Sequence, residues 1–131
     1  MDTKRRQNDD KTLSTHFKAS EFACPDCGQN HIHIELVQAL ESVRDIYQKP
    51  IVINSGYRCQ KHNKEVGGVP NSAHTRGWGS DLRCEGSRNR FELLRAIMLS
   101  GKFNRVGIGK DFIHVDLDPD KDPKVAWLYQ W

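Results

Sequence analysis

The hydrophobic and polar positions of the chain predict two main helices. Apolar residues recur at helical spacing from about Ile34 to Gln48, with charged residues turned outward, and Lys49-Pro50 ends the segment. A second helix is expected from Ser87, which can cap it, to about Ser100, with Gly101 as its stop. Its predicted core stripe consists of Phe91, Leu94, Ile97 and Met98.

Short runs of β-branched and aromatic residues predict a small, mainly antiparallel sheet. The expected strands are Ile51–Ile53, Gly79–Arg83, Val106–Ile108 and Phe112–Leu117. The last two form a β-hairpin whose turn is built on Gly109-Lys110-Asp111. The aromatic segment Val125–Tyr129 is expected to pack back onto the core, with Trp127 inside it. Residues 59–73 are rich in Gly, Asn, Pro and Lys and predict a long irregular loop of the kind that is more often functional than idle.

Length and composition place these elements in one small α+β domain. The chain has 131 residues, with a charged tail expected to be disordered at residues 1–12 and a single compact domain at residues 13–131. No apolar run approaches the length of a membrane span, and Met1–Lys11 lack a hydrophobic signal core. We therefore expect synthesis in the cytoplasm without a signal peptide and no membrane insertion. The net charge of +3 is too small and scattered to indicate nucleic-acid binding.

Two segments carry the residues best suited to hold a metal ion. His74 and Asp81 lie seven positions apart in a stretch rich in small residues. His114 and Asp116 share one face of a predicted strand, because side chains at i and i+2 point the same way. Two histidines and one aspartate from separate segments can hold zinc with one position left for water. A lone histidine is more often a surface residue or a hydrogen-bonded core residue than a metal ligand. The prediction of a zinc site therefore depends on the histidines and aspartates of the two segments taken together.

The cysteines leave several states open. Cys24-Pro25-Asp26-Cys27-Gly28 has the spacing of a zinc knuckle, whereas Cys59 and Cys84 are isolated. A structural zinc at Cys24 and Cys27, plain thiols and a disulfide are the alternatives, and reduced thiols are the default without a signal peptide. A protein organised only by a cysteine-bound zinc would leave the histidine and aspartate cluster unexplained.

Several short motifs stand in a distinctive order along the chain. They are Ser55-Gly56-Tyr57-Arg58, His62-Asn63, Gly67-Gly68, Ser72-x-His74-x-x-Gly77-x-x-x-Asp81 and Phe112-Ile113-His114-Val115-Asp116. In order and spacing they resemble the zinc D-Ala-D-Ala carboxypeptidase-like peptidases of bacteria and their phages, whose fold is shared with the hedgehog signalling domain. The resemblance spans roughly Leu13 to Trp127. One departure is Gly79, where the family pattern usually has alanine.

The resemblance implies a hedgehog/DD-peptidase-like fold and a Zn²⁺ ion held by His74, Asp81 and His114. Arg58 would face the carboxylate of the substrate or the developing oxyanion, where a planar and always charged donor is suitable. Substrate-binding roles are also implied for Ser72 and Tyr57. Turn bracing by the hydroxyl and aromatic packing by the ring are the alternatives for these two residues.

The resemblance also requires an acidic residue that takes a proton from water and passes it to the leaving amine. Asp116 is the first candidate for this catalytic role. Asp111, three residues before His114, is the second, because some relatives place an acid in an Asp/Glu-x-x-His arrangement. Other relatives have His-x-His with the second histidine on zinc, so Asp116 is alternatively a ligand, with His114 behind it.

The implied function is zinc-dependent hydrolysis of D-Ala-D-Ala or a related stem or cross-link bond, with peptidoglycan stem peptides as the substrate. A compact monomer without a signal peptide is typical of a phage endolysin or virion-associated wall hydrolase that reaches the wall by release or delivery. The alternative is a non-catalytic, metal-bearing binding module of the same fold. Arg58 and the two candidate acids favour the enzyme.

Overall fold

The computed structural model describes residues 10–130 of the chain. Within that range, a short 3-10 turn (Ala19–Phe22) precedes three helices and five strands. The helices are α1 (Ile34–Tyr47), α2 (Gln60–Glu65) and α3 (Ser87–Ser100). The strands are β1 (Ile53–Ser55), β2 (Gly79–Arg83), β3 (Arg105–Ile108), β4 (Phe112–Asp116) and β5 (Val125–Leu128).

The strands of this part of the chain form one sheet in the order β1-β2-β4-β3-β5. The pairs β1–β2, β2–β4 and β3–β4 are antiparallel, whereas β5 lies parallel to β3. The predicted α+β fold with two main helices and a hedgehog/DD-peptidase-like arrangement is confirmed. The parallel edge strand makes the sheet mixed rather than purely antiparallel.

One face of the sheet packs against α1 and α3 and forms the core. Leu82 of β2 and Ile113 and Val115 of β4 are fully buried there. Because successive side chains of a strand point to opposite faces, His114 and Asp116 of β4 lie on the other face. The amphipathic pattern of β4 therefore separates the hydrophobic core from the polar face of the sheet.

Helix α1 ends at Tyr47, one residue before the predicted end, and α3 buries only half of its predicted stripe, with Ile97 buried and Leu94 packed against the core. Phe91 and Met98 are 69% and 53% exposed, while Leu93, Ala96 and Ile97 are buried. Both sets have helical spacing, so periodicity alone cannot choose between them. The cap also differs, because Gly86 occupies the N-cap position and Ser87 is the first helical residue.

The start of β1 and the presence of α2 were also predicted wrongly. Strand β1 begins at Ile53, because Ile53 and Ser55 are the residues that pair with β2, whereas Ile51 is buried in the core ahead of the strand. The predicted irregular loop contains α2, whose first turn is capped by Cys59 Sγ accepting from the His62 amide at 3.4 Å. This six-residue helix has no apolar stripe and hence no periodic signal.

The segment after β4 is an edge of the sheet rather than a core element. Leu128 of β5 is 76% exposed, and Trp127 is half-buried instead of lying in the core. Of the predicted N-terminal tail, residues 1–9 lie outside the described residues, and Thr12 forms a β-bridge with Lys18. Among residues 10–130, no helix combines the length and apolar character needed to cross a membrane.

Candidate active site

The pairing of β2 with β4 brings the predicted metal ligands together. Asp81 lies directly opposite His114 in the antiparallel register. Asp81 Oδ1 is 2.9 Å from His114 Nδ1 and 3.2 Å from His74 Nε2. One ligand atom from each of the three residues lies within 4.8 Å of the other two. A single ion can therefore contact all three side chains.

His74 reaches this cluster from the loop before β2. Its Nδ1 donates a hydrogen bond to the Gly56 carbonyl at 2.8 Å, and its amide donates to Ser72 Oγ at 3.1 Å. The bond at Nδ1 fixes the tautomer and leaves Nε2 free to act as a ligand. Gly77 makes the return turn possible, because its φ of 76° is disfavoured for other residues.

The donor set fits a catalytic zinc ion. Two imidazole nitrogens and one carboxylate oxygen are typical ligands of such sites, which keep a fourth position open. The second nitrogen of each imidazole also has an acceptor, Gly56 O for His74 and Asp116 Oδ2 for His114, as metal-ligating histidines usually do. The residues therefore satisfy the orientation as well as the identity that zinc requires.

The electrostatics of the cluster favour an ionised carboxylate between two imidazoles. Burial opposes the ionisation of Asp81, but hydrogen bonds from His114 and His74 outweigh it and lower the pKa of this carboxyl well below its usual range. Burial likewise opposes the charge on His114, yet the bonds to Asp116 and Asp81 raise its pKa. Removal of any member would leave a buried polar group without its partner.

Asp116 has contacts that differ from those expected of a free proton acceptor. Its carboxylate is 1% exposed, and Oδ2 lies 2.7 Å from His114 Nε2. The other oxygen accepts from Arg105 Nε at 2.8 Å and from the Asp118 amide at 3.1 Å. Asp116 therefore touches the nitrogen of His114 that points away from Asp81. This geometry suits a residue that orients a ligand.

Asp111 is not brought into the cluster. It lies exposed in the turn between β3 and β4, and its carbonyl accepts from the Cys84 amide at 2.8 Å. That bond continues the ladder between β2 and β4. Asp111 also does not line the pocket that contains His74, Asp81 and His114. The second candidate acid therefore lies outside the cluster in this structure.

Arg58 lies at the side of the cluster with its side chain 12% exposed. Nη1 donates to Asn63 Oδ1 at 3.1 Å, and Nη2 is 3.8 Å from Asp81 Oδ2. In the described structure Nε is buried and has no hydrogen-bond partner. A Cβ on Gly68 would collide with Asn63 Oδ1 and come within 2.8 Å of Arg58 Nη1, so glycine keeps this space open.

A pocket of about 700 Å³ contains the cluster, Arg58 and Ser72. Phe112, Trp127 and Tyr129 form an aromatic wall that the sequence did not predict, since Trp127 was assigned to the core. Trp127 and Tyr129 approach Gly107 so closely that a Cβ there would lie 2.6 Å from the Trp127 ring. This glycine is the sequence feature that could have indicated the position of the wall.

Two positions singled out in the sequence, Tyr57 and Gly79, have contacts that the sequence did not predict. Tyr57 is not part of the pocket wall, because its ring makes an edge contact with His31 at 4.9 Å between centroids. The departure at Gly79 is next to a ligand, since a Cβ there would lie 3.2 Å from His114 Cε1 and 3.0 Å from the Ala73 Cβ. Glycine at this position relaxes the packing without removing a ligand.

The fold and the site together are those of a metallopeptidase. The family model described as Peptidase M15 matches residues 12–116, which include His74, Asp81 and His114. The chain belongs to the peptidase M15 family, whose members are generally zinc-dependent. A search of curated proteins finds no match.

Proposed function

We propose that the protein is a zinc-dependent peptidoglycan peptidase that hydrolyses D-Ala-D-Ala or a related stem or cross-link bond. The observation that supports this most strongly is the position of Arg58, which lines the pocket with its Nη2 3.8 Å from Asp81 Oδ2 of the two-histidine, one-aspartate cluster. A planar cation binds carboxylates in a bidentate manner. A peptide that ends in a free carboxylate would thus be anchored with its last bond next to the cluster.

In this proposal His74 Nε2, Asp81 Oδ1 and His114 Nδ1 hold the metal. Bound zinc supplies Lewis-acid polarisation of the scissile carbonyl and lowers the pKa of water towards neutrality. Arg58 binds the substrate carboxylate or the developing oxyanion. Ser72 accepts from the His74 amide and so fixes the loop that presents this ligand. Asp116 acts through His114, because its carboxylate holds that ring with Nδ1 turned towards Asp81.

The biological setting that we propose is cell-wall degradation by a monomer, as in a phage endolysin or virion-associated hydrolase. The net charge of +3 supports this setting, because a positively charged surface favours approach to an anionic wall. The small residues Gly67, Gly68 and Ser72 line part of the pocket and leave room there for an extended peptide. A stem peptide lying along the aromatic wall of Phe112, Trp127 and Tyr129 would present its end to Arg58.

Digestion of purified peptidoglycan and of stem peptides ending in D-Ala-D-Ala tests this function. The products are identified by mass spectrometry. Release of terminal D-Ala is expected for a carboxypeptidase, and separation of cross-linked muropeptides for an endopeptidase. Zinc-loaded protein that binds these substrates and leaves them intact would contradict the proposal and support a binding module of the same fold.

Asp116→Asn is expected to reduce zinc affinity and activity by about 10- to 100-fold, the usual cost of removing the partner of a metal-bound histidine. Activity should recover at saturating zinc, because the variant still contains all three ligands. The measurement is a zinc titration of the peptidase rate, with Asp111→Asn as the matched control that stays near wild type.

The same titration separates the alternative roles of Asp116. An Asp116→Asn variant that holds zinc with unchanged affinity and remains inactive would identify Asp116 as the proton acceptor. A variant that loses zinc even at saturating concentration would identify it as a ligand. An inactive Asp111→Asn variant that keeps its full zinc content would instead identify Asp111, in the turn between β3 and β4, as the proton acceptor.

A further inference from the structure

Three cysteines converge at a second location, outside the histidine and aspartate cluster. Cys24 and Cys27 belong to the loop after the 3-10 turn, and Cys59 stands immediately before α2. One Sγ atom from each lies within 4.8 Å of the other two. Cys24 Sγ and Cys59 Sγ are 3.7 Å apart although 35 residues separate them in sequence. Cys84 does not belong to this group.

The backbone around Cys24 has the form of a metal-binding knuckle. Gly28 has a φ of 74°, and its amide donates to the Cys24 carbonyl at 2.8 Å, which closes a tight turn. The Cys59 amide donates to Cys24 Sγ at 3.5 Å. Such an N–H donor stabilises the thiolate, which is the form of cysteine that binds a metal.

The 3.7 Å between Cys24 Sγ and Cys59 Sγ matches the separation of two sulfur ligands on tetrahedral zinc. Zn–S bonds of about 2.3 Å place two sulfur ligands of a tetrahedron about 3.8 Å apart. A disulfide would need a separation of about 2.05 Å and would leave Cys27 without a partner. The Asp26 carboxylate lies at the edge of the group, where its Oδ2 accepts from the Cys59 thiol at 3.8 Å. Lys61 Nζ lies 3.8 Å from that oxygen and balances negative charge.

We propose that Cys24, Cys27 and Cys59 hold a second, structural Zn²⁺ ion. The three thiols each release a proton to solvent when the ion binds, so the sulfurs coordinate as thiolates. A ligand set dominated by cysteine thiolates is typical of structural rather than catalytic zinc sites. The proposal does not rest on the peptidase reaction, because it depends only on these three side chains.

The cysteine group lies directly beside the wall of the pocket. Cys59 directly follows Arg58, and Ala23 and Pro25 beside Cys24 are part of the pocket wall. A zinc ion between them would tie the loop before α1 to the segment that carries Arg58. Binding of this ion to the folded chain alone would also increase its stability.

Metal analysis of reduced, purified protein tests the proposal. We expect Cys27→Ser to contain about one zinc equivalent less than wild type and to unfold at a lower temperature. Cys27 is exposed, so the substitution leaves the core intact. Cys84→Ala removes a thiol outside the group and should keep the full metal content. Cobalt replacement should give an intense sulfur-to-cobalt charge-transfer band that survives in His74→Ala and disappears in Cys27→Ser.

A measurement on the unaltered chain gives an independent outcome. Modification of the thiols with a mercurial reagent should release one zinc per chain, detected with a coloured chelator. Thiols that react without releasing metal, or a cobalt form without the sulfur band, would overturn the proposal. Mass spectra showing a Cys24–Cys59 disulfide in the protein as isolated would also overturn it. A failed peptidase assay would leave all of these results unchanged, so the two proposals fail separately.

Discussion

His74→Ala is expected to abolish hydrolysis and to remove the zinc equivalent bound at the histidine and aspartate cluster. A three-ligand site cannot spare a ligand, because catalytic zinc already leaves its fourth position open. His74 is 2% exposed and anchored to the Gly56 carbonyl, so no neighbouring side chain can replace its Nε2. The loss is measured by metal analysis together with the rate of muropeptide cleavage.

His31→Ala is the matched control for this prediction. His31 contacts the ring of Tyr57 and lies outside the pocket, so its replacement should preserve both metal and activity. Zinc held by the cysteine group is distinguished by its cobalt spectrum and is subtracted from the total. A His74→Ala variant that retains its zinc at the remaining cluster residues would refute the ligand assignment. The same variant with normal activity would refute the metallopeptidase proposal itself.

The set of candidate ligands was predicted from the resemblance to the zinc peptidases, with local rules as support. Strand periodicity placed His114 on the face opposite Ile113, and the small-residue stretch before β2 indicated a loop close to Asp81. The structure brings these side chains together through the register of β2 on β4. Their role as zinc ligands stays a prediction.

The contacts of Asp116 could not be predicted in the same way. Whether its carboxylate is free depends on Arg105, which reaches it from the neighbouring strand β3. It depends as well on the Asp118 amide, which the chain presents by turning directly after β4. Both contacts arise from tertiary structure, and neither has a signature in the spacing of residues. The sequence therefore could not show that both oxygens of this carboxylate are engaged, and the role of Asp116 as proton acceptor stays a prediction.

The errors in the fold have a similar origin. Helix α3 could bury either of two apolar stripes, and the choice of Leu93 over Phe91 is made by packing against α1. Helix α2 is short and polar, so its cap at Cys59 is the main local signal. The cysteine group shows most clearly that residue spacing does not reveal contacts between distant segments. The spacing of Cys24 and Cys27 indicates a knuckle, but only the folded chain brings Cys59 to it.

Arg58→Lys is expected to preserve the fold and the bound zinc while reducing turnover by about 100-fold or more, the usual cost of removing an oriented donor from a reacting site. A lysine ammonium is a point charge on a flexible stem and cannot supply a bidentate fork. The variant also loses the bond that Arg58 makes with Asn63, which fixes the fork in the pocket. Arg83→Lys is the control, because Arg83 pairs with Glu85 on the exposed end of β2.

A comparison of two substrates shows which group Arg58 recognises. If Arg58 binds the terminal carboxylate, amidation of the peptide end should slow the wild-type enzyme to nearly the rate of Arg58→Lys and barely affect the variant. If Arg58 stabilises the developing oxyanion, amidation should leave the penalty of the substitution unchanged, because the oxyanion forms on either substrate. A lysine variant with wild-type kcat and KM on both substrates would show that Arg58 is structural, in spite of its Nη2 lying 3.8 Å from Asp81 Oδ2.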